Sequence, residues 1–167
     1  VSQFADFAQR HRLPVTCSFR RQMLFPHDHP CYIGDLGLGL NPALLARLQQ
    51  ADLILLVGGR LSEIPSQAYT LLNIPVPTQD LIHVHPDVNE LGRVYTPTVA
   101  INASPTAFAA ELARMPAPVQ SPWAKETERL HDSYLSWSDP KGVTTPGELQ
   151  MSGVMAHLRE VLPSNAI

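Results

Sequence analysis

The sequence has no run of apolar residues near the roughly eighteen that a membrane-spanning helix needs, so no helical span is expected. It has no basic run either. Lys+Arg 12 against Asp+Glu 15 leaves a net charge of −3, which removes the electrostatic footprint of a nucleic-acid binder. Cysteine is scarce: Cys17 and Cys31 are the only two, and they lack the CxxC spacing of a redox pair or half a zinc site. They read as reduced thiols of a cytoplasmic protein. The opening residues, Val1-Ser2-Gln3-Phe4-Ala5-Asp6, have neither an initiator Met nor the charged-then-apolar layout of a signal peptide, and suggest a chain cut from something longer.

Proline is abundant, 16 in 167 residues, which argues against a coiled coil or long helical bundle because the ring and the missing N–H break helix interiors. Hydrophobic residues at 44% are enough for a real core, and the length allows one domain plus a remainder.

Phe4, Phe7 and Ala8 mark one face of a helix over residues 2 to 12 that stops before Pro14. Pro14 to Phe19 is short and β-prone and reads as a strand, followed by a loop from Arg20 to Asn41 rich in Pro, His and Gly. Asn41-Pro42 supplies an N-cap and first-turn proline for a helix with Leu44, Leu45 and Leu48 inward. Asp52 to Gly59 carries five consecutive apolar residues, the pattern of a parallel strand covered on both faces. Leu81 to His85 and Thr98 to Asn102 repeat it, and Ser104-Pro105 opens a further helix. Strands alternating with helices predict a three-layer, Rossmann-like α/β domain with a parallel sheet over residues 1–115. Pro116, Pro118 and Pro122 then mark a linker over 116–146, containing a helix with Trp123, Leu130, Tyr134 and Trp137 close to one face. Thr145-Pro146-Gly147-Glu148 has the layout of a capping box for a last helix, within a segment 147–167 that starts another domain. The apolar stripe of this helix and the Trp123, Tyr134 and Trp137 stripe lack cover in such a chain and predict self-association.

Three stretches carry a family likeness: Arg20 to Gly37 (RRQMLFPHDHPCYIGDLG), Ala51 to Arg60 (ADLILLVGGR) and Ile82 to Arg93 (IHVHPDVNELGR). In residues, order and spacing they resemble the central domain of thiamine-diphosphate-dependent enzymes of the acetolactate synthase group. The likeness covers residues 1 to 114, and Thr145 to Ile167 resembles the first helix of the pyrophosphate-binding domain that follows. It implies a fragment of a thiamine-diphosphate- and Mg²⁺-dependent enzyme that decarboxylates or condenses 2-oxo acids. The N- and C-terminal domains that hold the cofactor would be missing, as would the first strand of the central domain with its Gly-rich turn. Such a fragment is inactive alone, its parent is a dimer or tetramer, and catalytic residues cannot be assigned within it. The competing reading is a stand-alone Rossmann-like nucleotide-binding module without catalytic activity.

The site candidates follow from residue chemistry and the resemblance together. Gly34-Asp35-Leu36-Gly37-Leu38-Gly39 is GxxGxG rather than the dinucleotide fingerprint; Gly37 and Gly39 are either turn glycines or, by resemblance, a loop approaching a flavin. Gly58-Gly59-Arg60 follows a strand at its carboxyl end, where Arg60 suits a phosphate or a domain-interface salt bridge. The resemblance places FAD, or ADP as an effector, at this arginine. His85 stands where relatives often have Asp for the nucleotide, and Asp87 matches the next acidic position. His83 and His85 share a strand face, but no third metal ligand is spaced to join them. His27-Asp28-His29 lies between prolines in a loop and reads as structural.

Overall fold

The computed structural model describes residues 1–163 and Ala166. The expected turn over 164–167 falls, at Ser164, Asn165 and Ile167, outside the described residues. The chain divides into two compact units, Val1–Tyr134 and Leu135–Ile167.

The first unit opens with α1 (Ser2–His11), which buries Ala5, Phe7 and Ala8. Arg12 ends it in the left-handed conformation, φ 54°. Strand β1 (Val15–Ser18) follows at the predicted place. The loop expected from Arg20 to Asn41 is interrupted by a strand, β2 (Tyr32–Leu36), which pairs in parallel with β1. Composition hid it because Gly34 and Asp35, both poor strand formers, sit inside it. Tyr32, Ile33 and Leu36 are nevertheless all buried. Helix α2 (Pro42–Gln49) starts as the proline and cap imply, with Asn41 Oδ1 accepting from Ala43 N–H at 2.9 Å. Strands β3 (Leu53–Val57), β4 (Asp80–His85) and β5 (Val99–Asn102) follow with no α-helix between them among the described residues, and then α3 (Pro105–Arg114), capped by Ser104 Oγ on Ala107 N–H.

All strand pairs are parallel, as expected of this fold, but they form two sheets rather than one: β1-β2, and β3-β4-β5 with β4 central. Among the described residues no ladder joins β1 to β3, so each keeps one open edge. The consequence shows in β3. Its apolar run predicted burial on both faces, yet Leu53 is 50% exposed and the rest of the strand is half-buried, whereas Leu81 and Val84 of β4 are fully buried.

Helix α4 (Ala124–Trp137) is not a bare linker helix. Up to Tyr134 it packs into the first unit, with Leu130 buried in the core cluster that holds Leu44 and Leu81. It satisfies carbonyls that the ends of α1 and β2 leave open. Trp123 Nε1–H donates to His11 O at 2.7 Å, the Thr127 hydroxyl to Arg12 O at 2.7 Å, and His131 Nδ1–H to Tyr32 O at 2.7 Å. The Tyr134 ring meets Tyr32 edge-on at 4.8 Å. The expectation that Trp123 and Tyr134 lack cover is therefore wrong; of that stripe only Trp137 is mainly exposed.

In the second unit, α5 (Met151–Val161) has its N-cap at Gln150, five residues after the predicted cap Thr145. The Thr145 box is not used as a helix cap. The Gln150 amide instead folds back, accepting from Thr145 N–H at 2.7 Å and donating to Thr145 O and Gly147 O at 2.9 and 2.8 Å. None of its residues is buried.

Candidate functional site

The candidate residues gather at the carboxyl ends of parallel strands, the end at which α/β sheets bind ligands. Gly58 N–H donates to Val84 O at 2.8 Å, prolonging the β3–β4 ladder. Its φ is 70°, and a Cβ there would come within 2.7 Å of Pro105 Cγ, so glycine is required by the approach of the first turn of α3. The next carbonyl, Gly59 O, accepts from His83 Nε2–H at 2.9 Å, which fixes the tautomer of a ring that is almost fully buried. Desolvation holds the His83 pKa below its ordinary value, with the neighbouring His85 acting in the same direction.

Arg60 finds a carboxylate inside its own unit. Its Nη1 lies 3.5 Å from Glu90 Oε1, and Arg93 Nη1 lies 2.8 Å from the same oxygen. His85 Nδ1 is 3.1 Å from both the nitrogen and the carbonyl oxygen of Asp87. The Asp87 carboxylate is committed locally. Its Oδ1 accepts from Asn89 N–H and Asn89 Nδ2–H, both at 3.0 Å, capping the 3-10 turn Val88–Glu90; these bonds hold its pKa below the usual carboxylate range. Gly58, Gly59, Arg60, His85 and Asp87 are thus brought to one end of the three-stranded sheet. Gly37 and Gly39 sit instead in the turn after β2, on the other sheet, where Gly39 has φ 71° and open space around it.

A cleft of about 370 Å³ opens between the end of β1 and the segment from Ser62 to Tyr69, with Ser18, Phe19, Ser62, Glu63, Ile64 and Tyr69 in its lining. Its wall is unusual backbone. Gln67, Ala68 and Tyr69 are consecutively left-handed, φ 53°, 56° and 62°, a conformation that costs about 1–2 kcal/mol per residue. Buried Ser66 holds it: its hydroxyl donates to Glu63 O at 3.2 Å and accepts from Tyr69 N–H at 2.9 Å, and its carbonyl accepts from Leu71 N–H at 2.9 Å. Sequence reasoning passed over this segment because none of the three is Gly or Asn, the usual signals for such backbone.

His83 and His85, ring centroids 5.9 Å apart, gain no third ligand. Among the described residues no group of three or more His, Cys, Asp or Glu could hold a metal ion. His27 stacks on Tyr32 at 5.0 Å, His29 meets Phe25 edge-on at 4.9 Å, and both take part in packing.

Parallel strands with helices around them, and glycine turns and an arginine at the strand ends, place the unit in the Rossmann-like class of α/β domain. Residues 1–112 match the family described as "Thiamine pyrophosphate enzyme, central domain", and the chain belongs to it. It is similar to sulfoacetaldehyde acetyltransferase of Alcaligenes xylosoxydans xylosoxydans, 29% identical over 71% of this chain and 20% of that protein. The corresponding enzyme of Rhodobacter capsulatus is 26% identical over 96% of this chain and 30% of its own length. Acetolactate synthase isozyme 1 large subunit of Escherichia coli (strain K12) is 32% identical over 59% of this chain and 17% of that protein. The chain thus spans less than a third of these relatives.

Proposed function

We propose that this chain is the central domain, with the linker and opening helix of the next domain, of a thiamine-diphosphate- and Mg²⁺-dependent enzyme that decarboxylates or condenses 2-oxo acids in the manner of acetolactate synthase. The observation that carries this reading is the family match over residues 1–112. When bound, thiamine diphosphate supplies the electron sink for loss of carbon dioxide from a 2-oxo acid. No catalytic step is assigned to the side chains of this chain, which is expected to be inactive alone.

The unit's own work is spacing the cofactor-binding domains on either side and holding the phosphate end of FAD or ADP near Gly58, Gly59 and Arg60. Strand-end glycines and a half-exposed guanidinium support the nucleotide reading. The open edges of β1 and β3 suit one more parallel strand, which would join the two sheets in doubly wound order. The exposed Met151, Met155 and Val161 of α5 support burial against the following domain or a second subunit in a homo-oligomer. Two free, buried thiols suit the cytoplasm.

The test is turnover by the full-length gene product. Release of carbon dioxide from pyruvate or another 2-oxo acid is expected only with both thiamine diphosphate and Mg²⁺, and none from residues 1–167 alone. A full-length protein inactive on every 2-oxo acid tried, or an active 167-residue chain, would overturn the reading.

A further inference from the structure

We propose that His29 is a pH-operated latch for α4: with its ring neutral it holds the turn that offers the Tyr32 carbonyl to His131, and with its ring protonated it releases that turn and loosens the helix from the first unit. Two imidazoles meet the backbone at consecutive residues here. His29 Nδ1 lies 3.1 Å from the Cys31 nitrogen; a backbone N–H can only donate, so Nδ1 is the acceptor and the ring proton sits on Nε2. His131 Nδ1 lies 2.7 Å from Tyr32 O; a carbonyl can only accept, so that nitrogen carries its proton. The first bond joins residues two apart, the pattern in which an Asn or Asp side chain closes a turn on its own backbone. The second anchors the middle of α4. Tyr32 N–H also donates to His29 O at 2.8 Å, so a change in the turn moves the carbonyl that His131 uses.

A proton taken up by His29 has one place to go. Nε2 is already occupied, so the new N–H forms at Nδ1 and points at the Cys31 N–H, and two donors then face each other. Cys31 is 2% exposed, so water does not replace the lost acceptor, and a buried N–H left open drives the turn to rearrange. The titratable groups that face the ring define the second state. Asp28 in the same loop and Asp6 on α1 favour a charge on it, while His131 on α4 opposes one. The charged ring therefore gains by turning toward the carboxylates and away from α4, and the neutral ring gains by staying on Cys31. Two arrangements that differ in bound protons and in contacts are what a pH switch requires. Burial outweighs the carboxylates and keeps the His29 pKa below its ordinary 6.5, so the latch is closed above that pH and opens as pH falls through the depressed value.

The indole N–H signals of the 167-residue chain read the latch by NMR. Trp123 donates its indole N–H to His11 O as α4 begins, whereas Trp137 at the far end of the helix is 56% exposed and serves as the control. Between pH 7 and pH 5, hydrogen exchange at the Trp123 indole, corrected for its intrinsic pH dependence, should quicken about tenfold. The midpoint should match the titration of the His29 ring in the same sample. Trp137 should not change, and the backbone amides of Leu81 and Val84 in β4 should lose less protection than Trp123. His29→Asn places an acceptor that does not titrate where Nδ1 stands, and should keep Trp123 protected at both pH values, which a merely structural histidine would not predict. A Trp123 signal indifferent to pH, or a midpoint displaced from that of His29, overturns the latch. Equal loss at Trp123 and in β4 also overturns it, as destabilisation of the whole unit. The same pH dependence in His29→Asn overturns it too and assigns the effect to the remaining imidazoles, His27 or His131. Should that variant not fold, the comparison of midpoints in the parent chain decides alone.

Discussion

Leu130→Ala separates two accounts of α4, a detachable tether or a structural part of the first unit. Leu130 is 2% exposed and lies in one cluster with Leu44 and Leu81. Truncating a leucine so placed removes the transfer free energy of the lost carbons and leaves a partly collapsed cavity, together about 3 kcal/mol within a range of roughly 2–5. At about 2–4 °C per kcal/mol for a chain of this size, the melting temperature should fall about 6–12 °C. Leu135, one turn further along the same helix and 43% exposed, is the control; Leu135→Ala should change stability by no more than about 0.5 kcal/mol. Urea unfolding followed by far-ultraviolet circular dichroism gives both values from the midpoint and slope. If Leu130→Ala costs under about 1 kcal/mol, or no more than Leu135→Ala, then α4 does not share the core and the three carbonyl bonds made by Trp123, Thr127 and His131 are incidental.

Gly58→Ala should destabilise by about 1–3 kcal/mol, because alanine is strained at φ 70° and its Cβ would press on Pro105; denaturant midpoints measure it, and a neutral result would mean that α3 moves freely. Cys17 is pushed up to about 11 by burial and by Asp35, which leaves about a thousandth of it as thiolate at pH 8; labelling by a thiol reagent should run more than about 100-fold slower in the native chain than in guanidinium. His83 and His29 both have pKa values held below 6.5 by desolvation, so the unfolded chain binds more protons just below that pH. Their contribution is present above pH 6.5 and lost as pH falls through the depressed values; the melting temperature should drop between pH 7 and pH 5, less steeply in His83→Gln.

The elements set by local rules were legible in the sequence. Asn41-Pro42 and Ser104-Pro105 each placed a helix start, and the β3 and β4 runs announced parallel strands because their pattern needs no partner to be read. Elements that depend on distant contacts were not. Strand β2 carries Gly34 and Asp35 in its middle and is a strand only because β1 is there to pair with it. The Thr145 box has the right residues at the right spacing, but the Gln150 side chain competes for the same backbone groups and delays the helix to Met151. A capping box states a preference worth about 1 kcal/mol, which one side-chain amide making several bonds can outweigh.

The strand-end site divides along the same line. Gly58 is required by φ and by Pro105, an alternative that residue type alone could not separate from a ligand's approach. Asp87 matches an acidic ligand-contacting position by resemblance, yet its lone pairs cap a 3-10 turn two residues away. Arg60 was visible as a cation at a strand end, but the group that decides its use arrives from the turn after the next strand. Sequence separation of thirty residues hides that Glu90 meets it, and that Arg93 meets Glu90 on the same oxygen. With Asp87 also ionised in the same turn, two carboxylates stand against the two guanidinium groups. The shared oxygen, rather than the presence of an arginine after a glycine pair, is what fixes how this strand end is built.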